Sequence, residues 1–363
     1  LHLAIGAYVH QSGQLRGAYA EPAIDPEDGM RRPDLDSCPR WIARTIAAPL
    51  ALVLLICATA PRGWCANVWL AQHFDEAALF FTPSELSESG APTPNGIFDI
   101  AATGLAFDKS KNLWIVVNFA EVEEFSAAQL KHLGTDDTPS PVAVITSSST
   151  FQELLGCAFD KKGNLWLADL LAGTLDEVSK AQLASGTADI TPANVITSSD
   201  LSPGGPDFIT FDKSGNAWVD NETDSKIVEF TASQLKSGGT QAGNVVITND
   251  GSDSLNFPGE PAFDNKGNLW VANYHGQNVV EFTKKQIKAS GSLTPAVILT
   301  DNGGSLEGPW GAVFDGGDLL ISNFDGASIS KFSPNQLKSS GAPVPPVFLE
   351  DEAKESYQLI FGP

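Results

Sequence analysis

Apolar and polar residues along this chain fall into short blocks, with few of the long helical stripes that a helix bundle would show. Residues 262–283 display the pattern in full. A short apolar run ends in Phe-Asp and is followed by the polar turn Asn-Lys-Gly-Asn. Asn and Gly suit a tight hairpin. Leu269-Trp270-Val271-Ala272 is apolar on both alternating faces, which reads as a strand buried on both sides. A second polar turn, 273–278, leads to Val279-Val280-Glu281-Phe282.

The phrase repeats. Phe-Asp recurs at Phe107, Phe159, Phe211, Phe263 and Phe314, in steps of 52, 52, 52 and 51 residues. Asn112, Asn164, Asn216 and Asn268 follow, each two residues before Trp114, Trp166, Trp218 or Trp270. In the fifth copy Leu320 replaces the Trp. A second signature follows in register: Thr82/Glu85, Ser126/Gln129, Ser179/Gln182, Thr231/Gln234, Thr283/Gln286 and Ser333/Gln336. This spacing predicts a helix capping box. Gly90, Gly134, Gly186, Gly238, Gly291 and Gly341 are expected to stop each helix after a turn or two. β-rich runs at 142–146, 195–197, 245–248 and 297–300 close most repeats.

Each unit therefore reads as four strands with a short capped helix between the third and fourth. Such a sheet cannot bury both faces alone, and units of this length stand around an axis as propeller blades. The chain finishes on a first strand, residues 357–361, without a sequel. Residues 67–71 form a second strand without a first. Joined, they complete a blade, so the expected fold is an all-β, six-bladed β-propeller over 66–363, its ring closed by the C-terminal strand.

Residues 1–29 precede Met30, the sole methionine, and carry no repeat signature. They are expected to be an upstream or disordered segment. Residues 30–65 resemble a secretory signal peptide: Arg31, Arg32, Arg40 and Arg44 precede an apolar stretch at 46–60, and Ala58-Thr59-Ala60 offers a cleavage site between 58 and 66. The expectation is a secreted or periplasmic monomer. From residue 66 onward there are 16 Lys, no Arg and 38 acidic residues. That excludes most nucleic-acid readers, which need cations against phosphate, and disfavours anionic membranes. Cys38, Cys57 and Cys65 fall in the leader, and Cys157 is expected to be a buried thiol.

In a propeller the first strand of each blade lines the axis. The loop leading into it and the turn between strands two and three share one face, and the irregular residues gather there. Candidate ligand contacts on that face are Trp310, Tyr274, Tyr357, Phe324, Asn273 and Asn323. The column Gln72, Asn118, Asp169, Asn221, Asn273 and Asn323 recurs in every blade, which argues for turn closure. Asp207, Glu260 and Glu307 come from three successive blades and offer hard oxygen ligands for Ca²⁺ or another divalent cation. His275, and His73 in the equivalent turn two blades away, have the chemistry of a general base.

The Phe-Asp-x-x-Gly-Asn-Leu-Trp-Val-Ala-Asn phrase resembles NHL repeats and, more broadly, six-bladed propellers of the SMP-30/gluconolactonase-like and virginiamycin B lyase types. The resemblance covers nearly all of 66–363. Lactonases of that type carry Gly-Glu-Gly-Pro-x-Trp with a metal-binding Glu, and Leu306-Glu307-Gly308-Pro309-Trp310 is similar in part, which would make Glu307 a metal ligand. No Asn stands where that family needs one, and no His stands at the start of a first strand as in the lyases. NHL propellers often have no enzymatic role and use one face to bind partners. Two expectations follow: binding of a protein or small-molecule ligand on the variable face without catalysis, or a divalent-metal-dependent lactonase or lyase with its site at the channel mouth.

Overall fold

The four-strand unit read from the sequence recurs six times in the computed structural model, which describes residues 67–72, 76–87, 89–134, 138–202, 205–350 and 356–362. The expected leader, residues 1–65, lies outside the described residues, as do His73 and the side chain of Tyr357. The described residues belong to one compact unit, Thr59–Pro363.

Six separate sheets form six blades. Blade 1 takes its inner strand, Ser356–Gly362, from the C-terminus and its next strands, Asn67–Gln72, Ala77–Phe81 and Gly96–Asp99, from the N-terminal side. Antiparallel pairing of Val68 with Phe361, Trp69 with Ile360 and Leu70 with Leu359 closes the ring. The other inner strands are Ala102–Phe107 in blade 2, Leu154–Phe159 in blade 3, Ile209–Phe211 in blade 4, Pro258–Phe263 in blade 5 and Pro309–Asp315 in blade 6. We call the side carrying the lead-in loops and second-to-third turns the top, and the side carrying the Phe-Asp hairpins and capped segments the bottom.

Apolar side chains fill six wedges between blades. Trp69, Trp114, Trp166, Trp218 and Trp270 are all buried. Four of them stand edge-on to the Phe of the next blade's Phe-Asp, as Trp218 does to Phe263 at 5.8 Å and Trp270 to Phe314 at 6.1 Å. In blade 6 Leu320 fills the Trp place, fully buried against blade 1. A tryptophan at such a wedge removes on the order of 150–250 Å² from water, worth several kcal/mol.

The bottom is a framework built from one repeated network. Asp108 Oδ1 accepts from the backbone of Ser110 and Asn112, and Asn112 Nδ2 donates to Asp108 Oδ2. Asn112 Oδ1 in turn accepts from the Ala127 amide at the helix start. Asp160/Asn164, Asp212/Asn216 and Asp264/Asn268 repeat the arrangement. The expected capping boxes are present at Ser126, Ser179, Thr231 and Thr283, with reciprocal bonds to the Gln three residues on. The choice of Gln has a further reason: its Nε2 donates to the carbonyl ahead of the outer strand, as Gln234 does to Ala242 at 2.7 Å and Gln286 to Thr294 at 2.7 Å. A Glu could not donate there. The helices are shorter than expected in blades 5 and 6, where Gln286–Lys288 and Gln336–Lys338 are single 3-10 turns.

The glycines after the capped segments do more than end a helix. Gly291–Ser292 of blade 5 pairs in parallel with the outer strand of blade 4, and Gly239–Thr240 of blade 4 pairs with that of blade 3. Gly341 bridges to Leu299, Gly90 to Leu349, and the Ile97 amide of blade 1 donates to Gly134 of blade 2. Every blade thus hooks over the rim of the one before it. These bonds cover outer strand edges, which would otherwise present unpaired backbone groups.

Candidate functional site

The inner strands carry an irregularity at one level. In blades 1, 2, 3, 5 and 6 the register against the second strand slips by one residue near the top. A bulge re-aims side chains and often sits beside a functional site. Here the slipped segments hold Thr103, Gly156, Glu260, Trp310 and the backbone of Tyr357. The sequence placed Glu260 and Trp310 in loops; the structure puts both inside inner strands, Pro258–Phe263 and Pro309–Asp315. Glycines at this level let the blades close on the axis. A Cβ on Gly104 would stand 2.3 Å from the Leu155 carbonyl oxygen, and one on Gly259 2.4 Å from that of Trp310.

The axis is plugged by two side chains. Gln358 Nε2 of blade 1 donates to Glu260 Oε1 of blade 5 at 2.9 Å, and Gln358 Oε1 accepts from the Leu105 amide of blade 2 at 2.7 Å. Glu260 is 7% exposed. Burial pushes its carboxyl up to about 8, although bonds from Gln358 and the backbone of Ala312 and Leu359 pull the other way. Cys157 is buried, as expected, and burial followed by the Glu260 charge pushes its thiol far up, which makes it an inert sulfur.

Beside the plug, blade 4 carries a second group of acids. Its inner strand is short, and Asp220 Oδ1 accepts the Phe208 amide where a ladder bond would otherwise run. Asp207 is 1% exposed. Burial first, then the charges of Glu222 and Asp220, raise its pKa well above the ordinary range. Its hydrogen bond to Glu222 acts in the same direction on Asp207 and the opposite one on Glu222. Glu222 is itself raised above the ordinary range, by burial first.

Blades 5 and 6 carry a different surface. Trp310 lies 5.0 Å from Tyr274 and 5.4 Å from Phe324, ring centre to ring centre. Phe257 adds a fourth ring, 5.9 Å from Trp310 and 4.5 Å from His275. Tilted and edge-on pairs at these separations are favourable. Trp310 is 8% exposed and forms the floor, while Phe257, Tyr274 and Phe324 are half-buried and His275 is exposed. Three of the expected contacts, Trp310, Tyr274 and Phe324, are therefore brought together. Phe257 was missed because Asn256-Phe257-Pro258 reads as featureless loop; its positive φ of 59° turns the chain there. Tyr274 Oη donates to Asp325 Oδ1 at 2.9 Å.

Asn273 and Asn323 belong behind this shelf, not on it. Both are fully buried. Asn273 Nδ2 donates to Asn278 and to the Ser254 carbonyl, and Asn323 Nδ2 to Ser328, Ser330 and the Ser305 carbonyl. Asp169 does the same work in blade 3, accepting the Gln152 and Glu153 amides. The column closes lead-in loops onto second strands, as the recurrence implied. Asn118 stands outside it: Val117 ends the second strand of blade 2 and Asn118 is exposed.

The three expected metal ligands are separated in kind. Asp207 and Glu260 are buried, whereas Glu307 is exposed, its Cβ facing Gly326 in the turn of its own blade. Among the described residues no three His, Cys, Asp or Glu side chains are grouped to hold a metal ion. His275 has its ring against Phe257 and Tyr274. A cavity of about 330 Å³ opens on the bottom, between residues 108–110 of blade 2 and residues 180–186 of blade 3.

These features define a six-bladed β-propeller with a varied top and a repeated bottom. Solved structures agree on the fold. A virginiamycin B lyase from Staphylococcus aureus is similar at TM-score 0.50 and 14% identity, over 74% of this chain and 78% of that one. A Bacteroides caccae protein of unknown function matches at TM-score 0.56 and 12% identity, over 82% and 98%. A chain of a nidogen/laminin complex matches at TM-score 0.57 and 13% identity, over 82% and 98%. No family model and no curated protein matches the chain. At these identities the likeness is one of architecture, and function has to be argued from the site.

Proposed function

We propose that this protein is a binding propeller, exported as its leader implies, whose working surface is the top of blades 5 and 6. The observation that carries the reading is the shelf of Phe257, Tyr274, His275, Trp310 and Phe324, drawn from four separate loops and strand ends. Rings clustered on an open face, with one buried as a floor and others half-exposed, have the composition of an interaction hot spot. Asp325 and Glu307, exposed in the blade 6 loops, add carboxylates at the edge of the shelf. The nidogen/laminin neighbour shows a propeller-containing chain in a protein complex, and this chain has the same architecture available for the same use.

The alternative, a metal-dependent lactonase or lyase, shares its architecture with the virginiamycin B lyase neighbour, but its proposed ligands are not grouped among the described residues. Glu307, the residue that resemblance marked as a ligand, stands apart from Asp207 and Glu260 in burial and in the groups it faces. Soaking crystals of the folded chain with a mixed fragment library tests the binding reading. Fragments gathered on the shelf support it. Fragments found only in the bottom cavity, with the shelf empty, overturn it.

A further inference from the structure

The lysines are distributed unevenly over the disc. Lys109, Lys111, Lys161, Lys162, Lys213 and Lys266 sit in bottom hairpins, and three of them reach sideways: Lys109 to the Lys161 carbonyl, Lys161 to the Lys213 carbonyl, and Lys213 to that of Asn265 at 2.8 Å. The others follow the capped segments, or, like Lys331 with Asp318, the bottom end of a strand. Among the described residues the single lysine on the top is Lys226, and it is already held by Asp224 at 2.8 Å. From residue 66 onward the chain has no arginine at all. Among the described residues, the top therefore offers an approaching molecule aromatic faces and carboxylates, with Lys226 the one lysine.

From this we infer that the shelf engages a basic polypeptide segment of a protein partner, through its Arg and Lys side chains. The inference rests on the proposed binding reading and names its partner class. A guanidinium stacks on exposed aromatic faces and is drawn there by the ring quadrupole. The carboxylate for such a cation is in place: Asp325 accepts the Tyr274 hydroxyl, and Glu307 lies in the loop tied to the same turn by the Phe324 amide on the Gly308 carbonyl at 2.7 Å. Gly308 makes the approach possible, since a Cβ there would stand 2.9 Å from Asp325 Oδ2. Further acids on the top are Glu153 in the lead-in loop of blade 3 and Asp224 in the turn of blade 4, the latter shared with Lys226, while Glu222 beside it is buried. Carboxylates spread over several blades suit an extended cationic chain better than a single ammonium ion, and they would steer its arrival.

Fluorescence anisotropy with a labelled nonapeptide of alternating Arg and Gly tests this, using the folded chain at low and at physiological salt. The shelf variants Phe324→Ala and Asp325→Asn should each weaken binding about tenfold, because a ring and a charge contact at a hot spot carry that much. Glu281→Gln removes one charge beside a bottom hairpin and should change binding less than about twofold, since a distant charge is screened. Circular dichroism melts of the variants verify that loss of binding is not loss of fold. Equal weakening by all three variants, or none by the shelf pair, overturns the inference. Full competition by arginine amide at the peptide's own affinity overturns it in favour of a small cation. Absence of peptide binding while neutral fragments still occupy the shelf overturns the basic partner and leaves the proposed function standing.

Discussion

The bottom and the top of this disc solve opposite problems with the same blades. On the bottom, four hairpins use the same Asp and Asn in the same bonds, and each capped Gln spends its amide on the same kind of carbonyl. Uniform parts are what a ring needs, because each blade must fit both neighbours. On the top, the five slipped inner strands hold Thr103, Leu155, Gly259, Trp310 and the Tyr357 backbone at corresponding places. The fold tolerates variety where the strands bulge and where loops are stapled from behind by Asp169, Asn273 or Asn323. Architecture is thus held by residues that do not face a ligand, and residues that could face one are free to differ.

This division can be broken most forcefully at a wedge. Trp218→Ala should destabilise the folded chain by about 3–5 kcal/mol, read as a lower denaturant midpoint, because a large ring leaves a cavity between blades 4 and 5. A loss under about 1 kcal/mol would show that the wedges are not the main source of stability. Next in size is the framework network. Gln234→Glu keeps the capping acceptor but sets a carboxylate against the Ala242 carbonyl, and should cost about 1–3 kcal/mol.

The plug gives a pH signature. Glu260 has an ordinary value of 4.5 and is raised to about 8 by burial. Between these values the folded chain holds a proton that the unfolded chain has lost, so stability falls as pH rises and levels off above about 8. The slope is at most about 1.4 kcal/mol per pH unit for one proton. Asp207, raised in the same direction, adds to the fall. Glu260→Gln should flatten the urea midpoint between pH 5 and pH 8 and raise it at pH 8. An unchanged profile would remove Glu260 from the account. The smallest effect belongs to the top. His275→Ala should alter stability by less than about 0.5 kcal/mol, as its ring is exposed; a loss of bottom-like size would mean that the shelf is framework too.

Much of the architecture was legible because side-chain periodicity reports which way residues face. The step of 52 residues, the Trp column and the capping pairs marked six blades, and a tail without a second strand marked the closure that pairs Val68 with Phe361. What escaped the sequence has no side-chain signature. Parallel bridges from Gly291 or Gly341 are backbone contacts through residues that also look like helix stops. One-residue slips hide in the register, so Glu260 and Trp310 read as loop residues. Asn273 and Asn323 have the chemistry of ligand contacts, but their recurrence in a column argued for closure, and their buried amides are taken by the loops behind the shelf. The aromatic shelf itself was half visible: Trp310, Tyr274 and Phe324 were expected as contacts, but nothing in the spacing tied Phe257 to them.

The division between framework and working face is tested most directly by hydrogen–deuterium exchange of the folded chain with and without the Arg-Gly nonapeptide. The account predicts slowed exchange confined to the top, in residues 256–260, 273–278, 306–311 and 323–327, with the hairpins at 108–112, 160–164, 212–216 and 264–268 unchanged. Protection centred on those hairpins or on the capped segments would contradict it.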